Sequence, residues 1–258
     1  METVQLMEIT SRECRKYIEN GGDLVFIPIG SVERLGPHLP MGARTHVACA
    51  IANEFAKKNN GYCLPPVSYS TCYNTACLKG TIDINHDILY DLCYDLSKEL
   101  VANGFRRIMF VGYFKEFYYL ISEFFQNEGI AIAWINPDHI PMESPSNANE
   151  RETSLVAACL KLLGKDDVCE RLIEENRKHL GKFSERKSIG IIRELKKFGN
   201  IGLLYEEGDY EVLPAKNIYI EETINDIYKW IDEKNIAVDS LKDYNYYLSR
   251  RRPDRGLK

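Results

Sequence analysis

The chain has 258 residues, of which 45% are hydrophobic and 28% are charged. This composition is typical of a folded globular protein, and the formal net charge of −5 argues against a nucleic-acid partner, for which a clustered basic surface is expected. No stretch reaches the roughly 20 apolar residues of a membrane span, and the N-terminus lacks the apolar core of a signal peptide. We therefore expect a cytoplasmic protein with no membrane partner.

Domain organisation and cysteine usage point to the same class of protein. No linker divides residues 1–258, so one domain is predicted. The eight cysteines show neither a CxxC pair nor zinc-finger spacing, and we interpret them as reduced, mostly buried side chains.

The first half of the chain alternates between predicted helices and strands. A helix that reaches about Ile18, with Thr10 or Ser11 as its N-cap, precedes a strand at 24–29. Helices are then predicted at 45–58, 88–102, 118–127 and 150–163, with Gly104 ending the third helix. Further strands are predicted at 62–64, 107–111 and 130–135. Strands separated by helices predict a three-layer α/β/α sandwich with a mostly parallel central sheet.

The last hundred residues are less regular. From about Asp166 the chain is charged and helical, with strands predicted at 201–205 and 212–220 and a helix at 221–234. Because ligands bind outside the carboxyl ends of parallel strands, we expect the loops that follow the first-half strands to converge on one site.

The loop after the first strand carries a long motif. Residues 27–45 read IPIGSVERLGPHLPMGART, and the segments LPP, GTI, GFRRI and ETS follow at 64–66, 80–82, 104–108 and 152–154. This pattern resembles the creatininase family, whose signature has the form P-x-G-S-x-E-Q-H-G-P-H-L-P-x-x-T-D-T. The resemblance is clearest over residues 22–160. It implies a creatininase-like fold, a soluble homo-oligomer that is often a hexamer, and an amidohydrolase that uses two Zn or Mn ions.

The metal-ligand positions of this family are altered in the chain. Glu33 matches a liganding glutamate, but Leu35 replaces the histidine two residues later and Arg44 replaces a bridging aspartate. Phe114 stands where the family has another histidine, and Glu116 keeps the acid that follows it. Residues 147–149 read Asn-Ala-Asn where many members have a catalytic histidine, whereas Glu152 of the ETS segment is retained.

These replacements remove the ligands that a two-metal site requires. Such a site fixes two cations about 4 Å apart with carboxylates and imidazoles, and leucine or phenylalanine offers no ligand. The guanidinium of Arg44 stays protonated and repels a divalent cation. We therefore expect no cofactor, although a single Zn or Mn held by Glu33, His38 or His46 together with Glu116 stays open.

The retained acids suggest a different arrangement. Buried carboxylates without a counter-ion are costly, so we predict that Arg44 occupies the former metal position and pairs in bidentate fashion with Glu33, with Lys115 as an alternative partner. A solvent-facing Arg44 is the competing interpretation. Cysteine chemistry at Cys72 or Cys77 has no motif to support it.

Two functions follow from these observations. One is a divergent hydrolase that opens a cyclic amide or similar small ring, with Glu33, Glu116 and Glu152 in acid–base roles. The other is a non-catalytic family member that binds a small molecule or a protein partner through the altered pocket. Arg34 and Arg44 together suggest a pocket for a carboxylate or phosphate. The side chains that we predict to contact the ligand are His38, Arg34, Arg44, Cys72, Asn74 and Asn147.

Overall fold

A computed structural model of the protein describes residues 3–72, 75–76, 78–113, 130–183 and 210–241. Its sheet has four parallel strands in the order β2-β1-β3-β4. The strands are β1 (Leu24–Ile29), β2 (Tyr62–Cys63), β3 (Arg107–Gly112) and β4 (Ala131–Ile135). The six α-helices found in the described ranges are α1 (Ser11–Glu19), α2 (Ala43–Asn59), α3 (His86–Ala102), α4 (Ala148–Leu162), α5 (Asp166–His179) and α6 (Ile220–Ser240).

The two faces of the sheet bury two separate hydrophobic cores. Successive side chains of β1 point to opposite faces, so Leu24 and Phe26 join one core while Val25 and Ile27 join the other. The first core is covered by α2, α4, α5 and α6, and the second by α1 and α3. The predicted three-layer α/β/α sandwich is confirmed.

Local signals account for several helix boundaries. Thr10, one of the two predicted N-caps, is the N-cap of α1 and forms a capping box with Glu13. Gly104 has a φ of +99°, a value that L side chains rarely adopt, and it lies two residues beyond the end of α3. The helix predicted at 88–102 is confirmed, because α3 ends at Ala102 as predicted and begins only two residues earlier.

The second half of the chain differs from the prediction in one strand. The strand predicted at 212–220 is wrong, because residues 211–219 form no strand and α6 begins at Ile220. This stretch lies against other loops and helices through side-chain contacts, so its apolar residues are buried without a strand neighbour. The helix at 118–127 and the strand at 201–205 lie outside the described residues. No helix in the described part of the chain is long and apolar enough to cross a membrane.

Candidate functional site

The site lies between β1 and β3, where the order of the strands in the sheet reverses. β1 and β3 are the central strands, and the connections from β1 to β2 and from β3 to β4 run to opposite sides. This is the switch point at which open parallel sheets form a crevice for ligands. The loop between β1 and α2 lines this edge on one side, and Tyr113 follows β3 on the other.

The carboxylate of Glu33 is the centre of a buried polar network. The residue is only 2% exposed, and its two oxygens accept hydrogen bonds from different hydroxyl groups. Ser31 Oγ donates to Oε1 at 2.6 Å, and Thr75 Oγ1 donates to Oε2 at 2.7 Å. Arg44 Nη1 lies 3.1 Å from Oε1. Glu33 is thus held by two hydroxyls and one guanidinium, which together compensate for its loss of water.

The ion pair that we predicted between Arg44 and Glu33 is therefore present, but its geometry differs from the prediction. The contact joins Nη1 to one carboxylate oxygen, while the second oxygen is bound by Thr75. Arg44 Nε has no hydrogen-bond partner among the described residues. The expected bidentate geometry is wrong because Ser31 and Thr75 already occupy the approaches to the carboxylate. The side chain of Arg44 is 22% exposed, so the solvent-facing alternative does not describe it.

Arg44 also interacts with groups from other parts of the chain. Its guanidinium carbon lies 5.1 Å from the centre of the Tyr113 ring, within cation–π range. Burial of the guanidinium disfavours its charge, but the carboxylates of Glu33, Glu152 and Glu211 outweigh that effect and raise the pKa of Arg44. The arginine therefore remains a cation at every pH of interest.

Glu152 and Tyr113 have perturbed ionisation. Burial raises the pKa of the Glu152 carboxyl, and the charge of Arg44 only partly offsets this. Burial, followed by the charge of Glu152, raises the pKa of Tyr113 well above its usual value. Tyr113 Oη has no hydrogen-bond partner among the described residues. The neutral phenol of Tyr113 lies near the guanidinium and can donate a hydrogen bond to a ligand.

Other predicted ligand-contacting residues have structural partners. His38 is 3% exposed, and its Nε2 lies 2.9 Å from Thr153 Oγ1. Burial lowers the pKa of His38 to about 4, with a smaller contribution from the charge of His179. Asn147 is exposed and is the N-cap of α4, where its Oδ1 accepts a hydrogen bond from Glu150 N. Its predicted role in ligand contact stays a prediction, whereas its capping role is observed.

Two further predicted residues lie at the borders of the network. The guanidinium of Arg34 stacks on the Tyr210 ring at 4.3 Å, so Arg34 and Arg44 interact with different aromatic rings. Cys72 is 3% exposed, and its Sγ donates to the carbonyl oxygens of Ser70 and Ile82. Glu116 and Asn74, together with Lys115, Phe114 and Cys77, lie outside the described residues.

A segment near Tyr210 packs against the loop after β1, and no sequence motif predicts this contact. Val212 N donates to Leu35 O at 2.9 Å. A Cβ atom on Gly36 would collide with the carbonyl oxygen of Val212, so only glycine allows this approach. Leu35 is 2% exposed and belongs to the first hydrophobic core. Glu211 belongs to this segment, and its charge contributes to raising the pKa of Arg44 although the two residues are far apart in the sequence.

Comparisons with known proteins identify the family. The sequence model of the creatininase family, described as creatinine amidohydrolase, matches residues 7–179. The chain belongs to the creatininase family.

Relatives and solved structures agree with this assignment. The mycofactocin precursor peptide peptidase of Mycolicibacterium smegmatis is 25% identical over 202 residues, which cover 75% of this chain and 78% of that protein. A crystal structure of creatininase superposes with a TM-score of 0.68 at 15% identity, covering 95% of this chain and 99% of the other. A manganese form of creatininase gives a TM-score of 0.66 at 14% identity, covering 94% and 99%. At these identities the structural likeness concerns the fold.

The described residues do not fit the metal centre that this family implies. Creatininase structures include a form with two zinc ions and a manganese form. Within the described ranges of this chain, no three His, Cys, Asp or Glu side chains are grouped so that they could hold a metal ion. Glu33, the acid kept from the signature, is bound by Arg44, Ser31 and Thr75.

Proposed function

We propose that this chain is a non-hydrolytic member of the creatininase family, which binds a small polar molecule at the carboxyl edge of its sheet. The observation that carries this proposal is the Arg44–Glu33 ion pair at 3.1 Å. It places a permanent cation against the one carboxylate of the β1 loop that matches a metal ligand of the family. The pair supports a site with altered chemistry because a guanidinium cannot ligate a metal and repels divalent cations.

The groups around Arg44 suggest what such a ligand would need. Tyr113 Oη is buried without a hydrogen-bond partner among the described residues, and burial raises the pKa of the Glu152 carboxyl. Arg44 is already compensated by Glu33 and interacts with two more carboxylates. A neutral ligand with hydrogen-bond acceptors suits these groups better than the free anion that two unpaired arginines would have favoured.

Location and assembly belong to the same proposal. A cytoplasmic protein that forms a homo-oligomer, with the hexamer as the arrangement that family membership suggests, would present several copies of this site. Light scattering of the purified protein tests the assembly. In a variant of the proposal, the ligand is a protein partner instead of a small molecule. A protein that co-purifies with the chain would support this variant.

Metal content and hydrolysis together test the proposal. The purified chain, prepared with and without added Zn or Mn, is analysed by plasma mass spectrometry and then assayed with creatinine and with a panel of small amides. We expect less than stoichiometric metal and no metal-dependent hydrolysis. A matched variant, Leu35→His combined with Arg44→Asp, restores two ligand types of the signature and reports whether the assay detects metal binding. One metal per chain in the unaltered protein, with turnover, would overturn the proposal.

A second candidate function is hydrolysis, because burial raises the pKa of the Glu152 carboxyl, which is the direction that favours a general acid. A similar protein is named as a peptide peptidase, so peptide amides belong in the panel beside cyclic amides. In this candidate, Glu33, Glu116 and Glu152 act in acid–base roles. Activity that survives chelation and is lost in Glu152→Gln, but not in Lys182→Ala at an exposed lysine, would favour it.

A further inference from the structure

A second concave region lies on the opposite side of α2 from Arg44. This cleft has a volume of about 500 Å³, within the range of small-molecule sites. His46, Cys49 and Asn53 line it from α2. These residues are separated by three and four positions, so they share one face of the helix, whereas Arg44 lies roughly 200° around the helix from His46. Thr45 also lines the cleft and donates to Ser31 O at 2.9 Å, so the cleft adjoins the network around Glu33, but neither Glu33 nor Arg44 lines it.

The other walls of the cleft are largely apolar. Pro28 lines it from β1, Leu64 follows β2, and Leu163 follows α4. Gln5 contributes an amide that is already engaged, because its Nε2 donates to Asn53 Oδ1 at 2.8 Å. An apolar part of a ligand can therefore be buried here without leaving these two amides unpaired.

Lys165 is the cation of the cleft. It is exposed, and among the described residues no carboxylate lies within ion-pair distance of its ammonium group. It lines the same cleft as His46 and Cys49, and its charge acts on both side chains. The imidazole of His46 makes no side-chain hydrogen bond in the described part of the chain. The cleft thus offers a cation that forms no ion pair in the described part of the chain, beside an available imidazole.

The remaining titratable groups limit the charge of a ligand. Burial raises the pKa of Cys49 to about 11, so the thiol is neutral at pH 7 and supplies no competing anion. Glu8 also lines the cleft, and its carboxylate accepts a hydrogen bond from Thr3 Oγ1 at 2.6 Å. With Glu8 lining the same cleft, a ligand with a single negative charge suits the site better than a doubly charged one such as hydrogen phosphate.

We propose that this cleft binds a small monocarboxylate with a short apolar tail, whose carboxylate is held by Lys165 and His46 and whose tail lies against Pro28, Leu64 and Leu163. The lysine supplies a charge-assisted hydrogen bond, and His46 supplies a second donor when it is protonated or in the matching tautomer. The site is independent of the one proposed around Arg44.

Binding is linked to the protonation of His46. Burial and then the charge of Lys165 lower the pKa of His46 in the free protein. A bound carboxylate opposes both effects because it favours the imidazolium form, so the pKa of His46 rises on binding. This change gives a readout that an apolar ligand without a carboxylate would not produce.

NMR of the histidine side chains in the full-length protein tests the proposal. Butyrate, acetate and inorganic phosphate are titrated separately at pH 7 and constant ionic strength, with His46→Gln used to assign the His46 signal and the exposed His86 as internal reference. We expect a saturable shift of His46 with butyrate in the millimolar range, a weaker effect of acetate, and little effect of phosphate. The pKa of His46 should be higher in saturating butyrate.

Matched lysine variants decide whether the effect belongs to the cleft. Lys165→Ala should weaken butyrate binding about tenfold, the usual effect of losing one charge-assisted hydrogen bond. Lys182→Ala, an exposed lysine outside the cleft lining, should leave the affinity unchanged. Unsaturable shifts, equal affinity in Lys165→Ala, or tighter binding of phosphate than of butyrate would each overturn the proposal.

Discussion

The charged side chains on the two sides of the first turns of α2 have different surroundings. On one side, Arg44 is surrounded by carboxylates and by Tyr113, and Glu33 has three partners. On the other side, Lys165 and His46 face a cleft with no ion pair formed among the described residues. Compensated charge in a packed environment fixes a conformation, whereas uncompensated charge beside a cleft leaves interaction energy for a ligand.

The largest expected effect comes from reversing the charge at the packed side. Arg44→Asp places a second carboxylate beside the buried Glu33, so we expect the free energy of unfolding to fall by about 4 kcal/mol, the scale of a broken buried pair. Urea denaturation followed by circular dichroism measures it. The double variant Arg44→Met with Glu33→Gln removes both charges and should recover much of the loss. An unchanged melting temperature in Arg44→Asp would contradict the packed arrangement.

The next effect is acid destabilisation through His38. Its pKa is about 4 in the folded protein and about 6.5 when unfolded, so the unfolded chain binds the extra proton as the pH falls. Stability attributable to His38 is therefore full above pH 6.5 and declines between pH 6.5 and 4, by roughly 3 kcal/mol in total. Stability curves at several pH values, compared with those of His38→Gln, measure the difference. Parallel curves for the two proteins would exclude this contribution.

A pair of glycines sharpens the contrast between packed and open surroundings. A Cβ on Gly36 meets the Val212 carbonyl oxygen, whereas a Cβ on Gly42 has His46 Nε2 as its nearest neighbour at 3.7 Å. Gly36→Ala should lower the free energy of unfolding by about 2 kcal/mol, the cost of overpacking against backbone. Gly42→Ala should change it little. Equal effects in thermal denaturation would show that the two sides are packed alike.

The smallest expected effect concerns one hydroxyl of the Glu33 network. Thr75→Val keeps the side-chain shape but removes the 2.7 Å hydrogen bond to Oε2, which should lower stability by about 1.5 kcal/mol. Thr75→Ser retains the hydroxyl and is the matched control. Denaturant titration of both variants measures the difference, and identical midpoints would mean that solvent replaces the threonine hydroxyl.

The sequence predicted much of this protein because its first half obeys local rules. Apolar runs bounded by turns located β1 to within its observed limits, and the GPHLP motif identified the loop that carries Glu33 and His38. The retained acid and the introduced arginine were enough to predict the Arg44–Glu33 pair. Glu33 lies in the loop after β1 and Arg44 in the first turn of α2, and opposite charges buried this close together have few other ways to be compensated.

Only the tertiary structure decided which distant residues complete that loop. Thr75, Tyr113 and Glu211 meet the Arg44–Glu33 pair from three separate segments, and no local pattern marks such contacts. The apolar residues at 212–220 predict a strand that the structure does not contain, because burial against loops and helices leaves the same hydrophobic pattern as burial in a sheet. Local propensity determines elements, but the charges and hydroxyls that satisfy a buried group are set by how those elements pack.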